Sequence, residues 1–125
     1  MKRFKVEIAG GRFKIFGFVQ VMGKDLLVSI QGGTHPHIGA IGIAIPRPSL
    51  RDPQRWSATS SNFTLSGHKE DILVKKLSEK LASRLRTQVV VTAGLHWDNL
   101  SSREIRVVEK LAMKMADLIL KKLLP

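Results

Sequence analysis

The sequence predicts an α+β fold, in which a mostly antiparallel sheet of about six strands carries two helices on one face. Apolar and polar residues alternate through the first half of the chain, which is typical of strands with one buried face. After residue 66 the apolar residues recur at every fourth position, which indicates an amphipathic helix. A β-branched segment separates this helix from a second one, so the predicted order is five strands, a helix, a strand and a helix.

Five short strands are predicted in the first half of the chain, and turn residues separate them. Two glycines at residues 10 and 11 make a hairpin turn, and Gly23 with Lys24 makes the next turn. The loop before the fifth strand is longer and exposed, because its prolines exclude a regular element. The short connections favour an antiparallel meander. The predicted strands cover residues 3–9, 12–21, 25–31, 37–46 and 57–66.

The second half of the chain is predicted to contain two helices with one strand between them. The first helix covers residues 69–86, where leucine recurs at every fourth position. The strand over residues 87–95 is rich in valine, and we expect it to be central because both of its faces are suited to burial. The last helix begins where Ser101 and Glu104 make a Ser-x-x-Glu capping box, and it runs to about Leu123.

The last helix carries a wider apolar stripe than packing on one sheet face requires. An excess of apolar surface on a helix indicates an oligomer interface, so we expect a homodimer. The alternative is a helix that is buried deeply in its own domain. The apolar positions are Ile105, Val107, Val108, Leu111, Met113, Met115, Leu118, Ile119 and Leu120.

The composition limits the classes of function that this chain can have. We expect a single domain over residues 1–125, a length that sustains a hydrophobic core. The absence of cysteine excludes disulfides, thiolate metal sites and cysteine nucleophiles. A formal charge of +11 favours an anionic partner. Nucleic acid is not the favoured partner, because aromatic residues are few and no recognition motif occurs.

No part of the sequence predicts export or membrane insertion. The chain begins with basic residues, as a signal peptide does, but Lys5, Glu7, Arg12 and Lys14 interrupt the apolar residues that follow. No apolar run approaches the length that spans a bilayer. We therefore expect a cytoplasmic protein.

Each histidine lies in a loop or at a strand end, beside a glycine-containing turn. The three segments concerned are GGTHPHIGA, SGHKED and GLHWDN. They open the fourth strand, open the first helix and close the sixth strand, so we expect them to converge at one end of the sheet. The candidate binding residues in these segments are Thr34, His35, His37, His68, Lys69, His96 and Trp97.

The proline between the first two histidines gives this pair a defined geometry. Pro36 favours an extended conformation for His35, and residues two apart in an extended chain point to the same face. The imidazoles of His35 and His37 are then expected to project into one cleft. There they are suited to coordinate a metal ion, or to donate hydrogen bonds to an anion or a heteroaromatic ring. The next strand alternates isoleucine with alanine and glycine over residues 40–45, and its small face admits either a helix or a flat ligand.

The other two segments each allow a binding and a structural interpretation. The free amides at the start of the first helix make an anion site together with Lys69, whereas Ser66 is equally suited to be a simple helix cap. Trp97 offers a flat face to a ligand or closes the end of the core.

Two enzyme classes are not supported by the spacing of the polar residues. A metalloenzyme needs three or four ligands in a fixed geometry, and the candidates are the histidines with Glu70 or Asp98. No HExxH or similar spacing occurs among them, so no metal site is predicted. A serine hydrolase needs a Gly-x-Ser-x-Gly elbow, which is absent. A non-catalytic module that binds a flat anionic ligand accounts for more of the features.

The three segments together resemble one known family. GGTHPHIGA, GHKED at a helix start and GLHWDNLS before the last helix are similar to the prenylated flavin chaperone family, which includes the small D subunit of gallate and hydroxyarylic-acid decarboxylase systems. The resemblance covers nearly the whole chain. It implies a fold like that of the proteasome-assembly chaperones, a dimeric α+β sheet with helices.

What the resemblance implies is a chaperone that binds prenylated FMN and assists the maturation of a decarboxylase, without catalysis. On that hypothesis Lys69 and the neighbouring amides hold the phosphate, the three histidines at positions 35, 37 and 96 line the isoalloxazine ring, and Trp97 stacks on it. The alternative is an assembly or docking protein that acts by protein contact and has no small-molecule ligand.

Overall fold

The computed structural model of the chain describes residues 2–65 and 70–125. It is mixed α/β, with a six-stranded sheet and helices, as the sequence predicts. The strands are β1 (Arg3–Gly10), β2 (Phe13–Met22), β3 (Asp25–Gly33), β4 (Ala40–Pro48), β5 (Trp56–Thr64) and β6 (Val89–His96). The helices are α1 (Glu70–Leu85), α2 (Ser102–Met113) and α3 (Met115–Leu123).

The order of strands in the sheet is β1-β2-β3-β6-β4-β5. The prediction of a continuous meander is wrong at one step, because β6 lies between β3 and β4, parallel to the first and antiparallel to the second. Two strands with a third strand between them are about 10 Å apart. The six-residue link over residues 34–39 is long enough to cross that distance from β3 to β4. The central position predicted for β6 is confirmed.

Helix α1 covers the small-residue face of β4. Ala40 and Ala44 are fully buried, and a Cβ atom on Gly42 would lie 2.7 Å from the carbonyl oxygen of Val74 in α1. The small residues of β4 therefore admit a helix, which is the first of the two explanations considered for them. The isoleucines of β4 point to the opposite side of the sheet, where no element of the described chain covers them.

The last helical segment is divided at Lys114 into α2 and α3, although it contains neither proline nor glycine. The amide of Lys114 donates to the carbonyl of Leu111, a three-residue step that tightens the turn there. Both helices bury their apolar residues in the domain core. The buried positions are Val108, Ala112, Met115, Ala116, Ile119 and Leu120. Most of the wide apolar stripe is thus used within the chain itself.

The capping box predicted at the start of α2 is confirmed. Ser101 Oγ accepts a hydrogen bond from the Glu104 amide at 3.1 Å, and the Glu104 carboxylate accepts one from the Ser101 amide at 3.2 Å. Arg12 in the β1–β2 turn donates to the same carboxylate. The hydrogen bond from the Ser101 backbone, with help from Arg12, lowers the pKa of Glu104.

We predict that Glu104→Gln lowers the melting temperature at pH 7 and that this difference disappears in acid. Because the pKa of Glu104 is lowered in the folded state, its stabilising effect is present above its ordinary pKa and is lost as the pH falls through the folded value. Thermal unfolding between pH 7 and pH 2 measures the effect, with Glu109→Gln as the same charge change elsewhere on α2. A Glu104→Gln difference that stays constant with pH would contradict the prediction.

Candidate functional site

Two of the three predicted segments meet at one end of the sheet. Strands β3 and β6 are parallel, so their last residues, Gly33 and His96, lie side by side at the same edge. The amide of Thr34 donates to the His96 carbonyl at 2.8 Å, and the Thr34 hydroxyl lies 3.4 Å from the same oxygen. The predicted convergence of these segments therefore follows from the parallel pairing.

Two glycines allow the backbone of these segments to approach closely. Gly33 has a positive φ of 93°, and a Cβ atom there would collide with the His96 carbonyl. A Cβ atom on Gly94 would collide with the carbonyl of His37. The link over residues 34–39 can lie across the end of β6 only because both positions lack a side chain.

Three imidazoles come together where this link crosses β6. The ring centroid of His96 lies 5.6 Å from that of His35 and 6.5 Å from that of His37. Two further contacts orient the rings: His37 Nδ1 lies 2.9 Å from the His35 carbonyl oxygen, and His96 Nε2 lies 3.1 Å from Asp98 Oδ1. These distances agree with the predicted convergence of the segments that carry His35, His37 and His96, whereas a cleft shared by His35 and His37 stays a prediction.

A buried carboxylate lies beside the histidines. Only 7% of Glu70 is exposed, and its Oε1 accepts a hydrogen bond from the Leu95 amide at 3.3 Å. The same oxygen lies 3.7 Å from His37 Nε2. Within the described ranges 2–65 and 70–125, Glu70 Oε2 has no hydrogen-bond partner. The sequence pattern predicts Glu70 only as a possible metal ligand. Its position in the first turn of a helix, two residues after a histidine, is a signal that could have placed it in the same site as the histidines.

The remaining predicted residues have different outcomes. His68 and Lys69 lie outside the described residues, as does Ser66, so the predicted anion site at the start of α1 stays a prediction. Trp97 packs its ring edge-on against Phe13, with centroids 5.2 Å apart, and thereby covers the end of the core. Its other surroundings include a groove that sequence analysis did not predict.

The groove lies between α1, the end of β6 and α2, and its volume is about 480 Å³. Small-molecule sites commonly have volumes of about 300–1,000 Å³ and mostly apolar walls. The polar groups at this groove are Glu70, Lys76, His96 and Glu109. The apolar walls are formed by Ile72, Leu73, Leu95, Trp97, Leu100, Ile105, Val108, Ala112 and Met113. Because three separate elements supply these side chains, their meeting could not be predicted from periodicity.

The arrangement is suited to holding a ligand that is apolar over much of its surface and polar at one end. His96 and Trp97 belong both to the predicted set and to the groove, and His96 connects the groove to the other two histidines of the cluster. Among the described residues, no group of three or more histidine, aspartate and glutamate side chains is arranged to hold a metal ion. In that same part of the chain, no helix is both long and apolar enough to span a membrane.

We predict that Gly94→Ala displaces the link that carries His35 and His37. The new methyl group would overlap the His37 carbonyl, and such overpacking costs about 1–3 kcal/mol of unfolding free energy. Thermal unfolding and the imidazole signals in NMR spectra measure the two effects. The control is Gly10→Ala, whose Cβ would meet only the side chain of Leu111, at 3.1 Å. Unchanged His35 and His37 signals in Gly94→Ala would contradict this geometry.

Comparisons with known proteins agree with the resemblance seen in the sequence. Residues 9–124 match the family model described as the prenylated flavin chaperone LpdD-like domain. A curated relative, Protein LpdD of Lactiplantibacillus plantarum, is 26% identical over 105 residues, which cover 84% of this chain and 72% of the relative.

A solved structure is similar in fold over almost the whole chain. The structure, titled as a novel chaperone complex for yeast 20S proteasome assembly, superposes with a TM-score of 0.60 and 12% identity. The match covers 99% of this chain and 98% of that chain, and at this identity it speaks for the fold alone. The match of the family model over residues 9–124 shows that the chain belongs to the LpdD-like family of prenylated flavin chaperones.

Proposed function

We propose that this chaperone binds prenylated FMN in the groove between α1 and α2, with the flavin ring directed toward the histidine cluster. The observation that carries the proposal is the meeting of His35 and His37 with His96, which itself lines an apolar groove of about 480 Å³. Family membership supplies the class of ligand. The fold neighbour does not supply it, because a shared fold does not imply a shared ligand.

The groups around the groove fit the chemistry of a prenylated flavin. The ring system is flat and largely apolar, so apolar walls such as Leu73 and Val108 suit it. Its pyrimidine edge carries an N–H group and carbonyl oxygens, which match the carboxylate of Glu70 and the imidazoles. A buried carboxylate oxygen with no partner among the described residues is a costly feature that a ligand N–H would relieve. The bound group would supply the electrophilic chemistry that the partner enzyme uses.

The phosphate of the cofactor needs a cationic end to the site. The predicted residues for it are Lys69 and the amides near His68, immediately before the first described residue of α1, Glu70. Lys76 on α1 is the described cation that lines the groove. A net charge of +11 on the chain adds a general attraction for the anion. This chain therefore holds the cofactor by orientation and charge, and we propose that it has no catalytic role of its own.

The recipient of the cofactor in this proposal is a prenylated-flavin-dependent decarboxylase apoenzyme in the cytoplasm. The basic surface offers a docking face for an acidic enzyme. We also propose that the chaperone is a homodimer, although seven of the nine residues in the helical stripe on which that prediction rests are buried in the core or packed against it.

We predict that His37→Ala and Lys69→Ala each lower cofactor retention by about tenfold, which corresponds to about 1.4 kcal/mol. The protein is purified from cells that make prenylated FMN, and the visible absorbance per chain is measured. Leu50→Ala is the control, because this side chain is 89% exposed in the β4–β5 loop. Unchanged retention in both site variants would refute the placement. A colourless wild-type protein that captures the decarboxylase would favour the pure docking function.

We further predict that Ile105→Glu weakens cofactor retention while leaving the fold intact. Ile105 lines the groove and is already 36% exposed, so the carboxylate can reach solvent when no ligand is present. A bound ligand would desolvate that charge, which disfavours binding. Absorbance per chain is compared with that of Leu50→Glu, and equal retention in the two variants would place the ligand elsewhere.

A further inference from the structure

The loop between β4 and β5, over residues 49–55, presents an almost fully exposed leucine. Leu50 is 89% exposed, the highest value among the large hydrophobic side chains of residues 2–65 and 70–125. A single exposed apolar residue is common on protein surfaces and indicates nothing by itself. Leu50 differs in two respects, because hydrogen bonds order its loop and arginines lie around it.

Hydrogen bonds within the loop hold Leu50 in place. Ser49 Oγ accepts a hydrogen bond from the Arg51 amide at 3.2 Å. The base of the loop is closed by the Ser49 amide, which donates to the Arg55 carbonyl at 2.7 Å, and the Arg55 amide donates to the Asp52 carbonyl at 2.9 Å. A segment that is ordered before it meets a partner loses less conformational entropy on binding.

Four arginines lie in this loop or next to it, and no carboxylate neutralises them. They are Arg47, Arg51, Arg55 and Arg86. Within residues 2–65 and 70–125 none of the four forms a salt bridge, whereas Arg12, Lys75 and Lys80 each pair with a carboxylate. The acidic residue of the loop, Asp52, accepts a hydrogen bond from the Gln54 amide. The positive charge at this place therefore favours an acidic partner.

Trp56 adds an aromatic surface at the same place. It pairs with Pro48 at the start of β5 and is 37% exposed, and the guanidinium of Arg86 lies 5.0 Å from its ring centroid. Arg86 has a φ of 55°, a left-handed conformation that usually belongs to glycine after a helix. An arginine at a position that favours glycine indicates a role for its side chain. We call the loop with Arg47, Trp56 and Arg86 the arginine patch.

We propose that the arginine patch docks on an acidic surface of the recipient decarboxylase, with Leu50 entering an apolar recess of that enzyme. The inference rests on the proposed function, which supplies the recipient. Tryptophan and arginine are enriched among the residues that dominate binding energy at protein interfaces, and a guanidinium can bind a carboxylate through two hydrogen bonds. The exposed leucine favours a protein over a nucleic acid, because contacts to phosphate do not use an apolar anchor.

The arginine patch and the histidine cluster lie at opposite ends of β4. The strand begins at Ala40, directly after the link over residues 34–39, and ends at Pro48, directly before the loop. At about 3.3 Å per residue, the length of this strand separates the two places by about 26 Å. Docking and cofactor binding thus use different residues, and each can be tested while the other is intact.

The test is the affinity of the cofactor-free chaperone for purified decarboxylase apoenzyme, measured by biolayer interferometry. Leu50→Ala and Arg51→Glu should each raise the dissociation constant at least about tenfold. The controls are Leu65→Ala, which truncates a leucine that is 60% exposed, and Arg103→Glu in the first turn of α2. Both controls lie outside the arginine patch and should bind as wild type does. A wild type that does not bind the enzyme, or a Leu50→Ala variant with unchanged affinity, would overturn the inference.

Arg86→Gly distinguishes a docking role of this residue from a structural one. Glycine adopts a φ of 55° without strain, so the variant should keep a native circular dichroism spectrum. Loss of the guanidinium should nevertheless raise the dissociation constant of the enzyme complex about fivefold or more. Wild-type affinity in this variant would remove Arg86 from the interface and contradict the arginine patch as defined.

These outcomes are separate from those that test cofactor binding. Leu50→Ala should retain the cofactor and lose the enzyme. A wild type that retains the cofactor but does not bind the enzyme would overturn the docking inference alone, whereas enzyme binding without cofactor retention would overturn the binding proposal alone. A patch that binds a single-stranded oligonucleotide, loses it in Arg51→Glu and has no affinity for the enzyme would be a nucleic-acid site, which also overturns the inference.

Discussion

The structure depends on the insertion of β6 between β3 and β4. Parallel pairing with β3 brings the ends of the two strands to the same edge, and the link over residues 34–39 must then cross the end of β6 to begin β4. Gly94 and Gly33 permit that crossing without steric overlap. One topological step thus assembles the histidine cluster, places α1 on the small face of β4 and leaves the isoleucines of β4 on the side of the sheet opposite the helices.

The two sides of the sheet differ in the side chains that they carry. The helix side contains the core, the groove and the buried Glu70, and is therefore suited to hold a flat cofactor. The other side exposes large apolar side chains such as Phe18, Ile43 and Phe63.

Local patterns in the sequence were sufficient to predict the elements of the fold but not all of their pairing. Alternation and four-residue repeats identify the strands and helices, and the valine-rich character of β6 predicts its central position. The order of pairing depends on contacts between distant residues, so the meander was wrong at β3 and β4. The division at Lys114 involves no proline or glycine and leaves no signal in the sequence.

The candidate site was predictable to the extent that it is built from adjacent residues. The HPH segment and His96 were identified because turn residues and strand ends can be recognised locally. The groove was missed because its walls come from α1, β6 and α2 and form only after packing. Glu70 was named only as a possible metal ligand, because its burial, which the sequence does not show, is what makes it significant.

The most direct measurement is an NMR titration of histidine-labelled protein with prenylated FMN, in which each imidazole is observed separately. The account predicts that the signals of His35, His37 and His96 shift together and saturate at one ligand per chain. Methyl signals of Leu27 and Ile43, on the opposite side of the sheet, should stay unchanged during the same titration. Saturable binding that moves the Leu27 and Ile43 signals and leaves the three imidazoles unperturbed would contradict it.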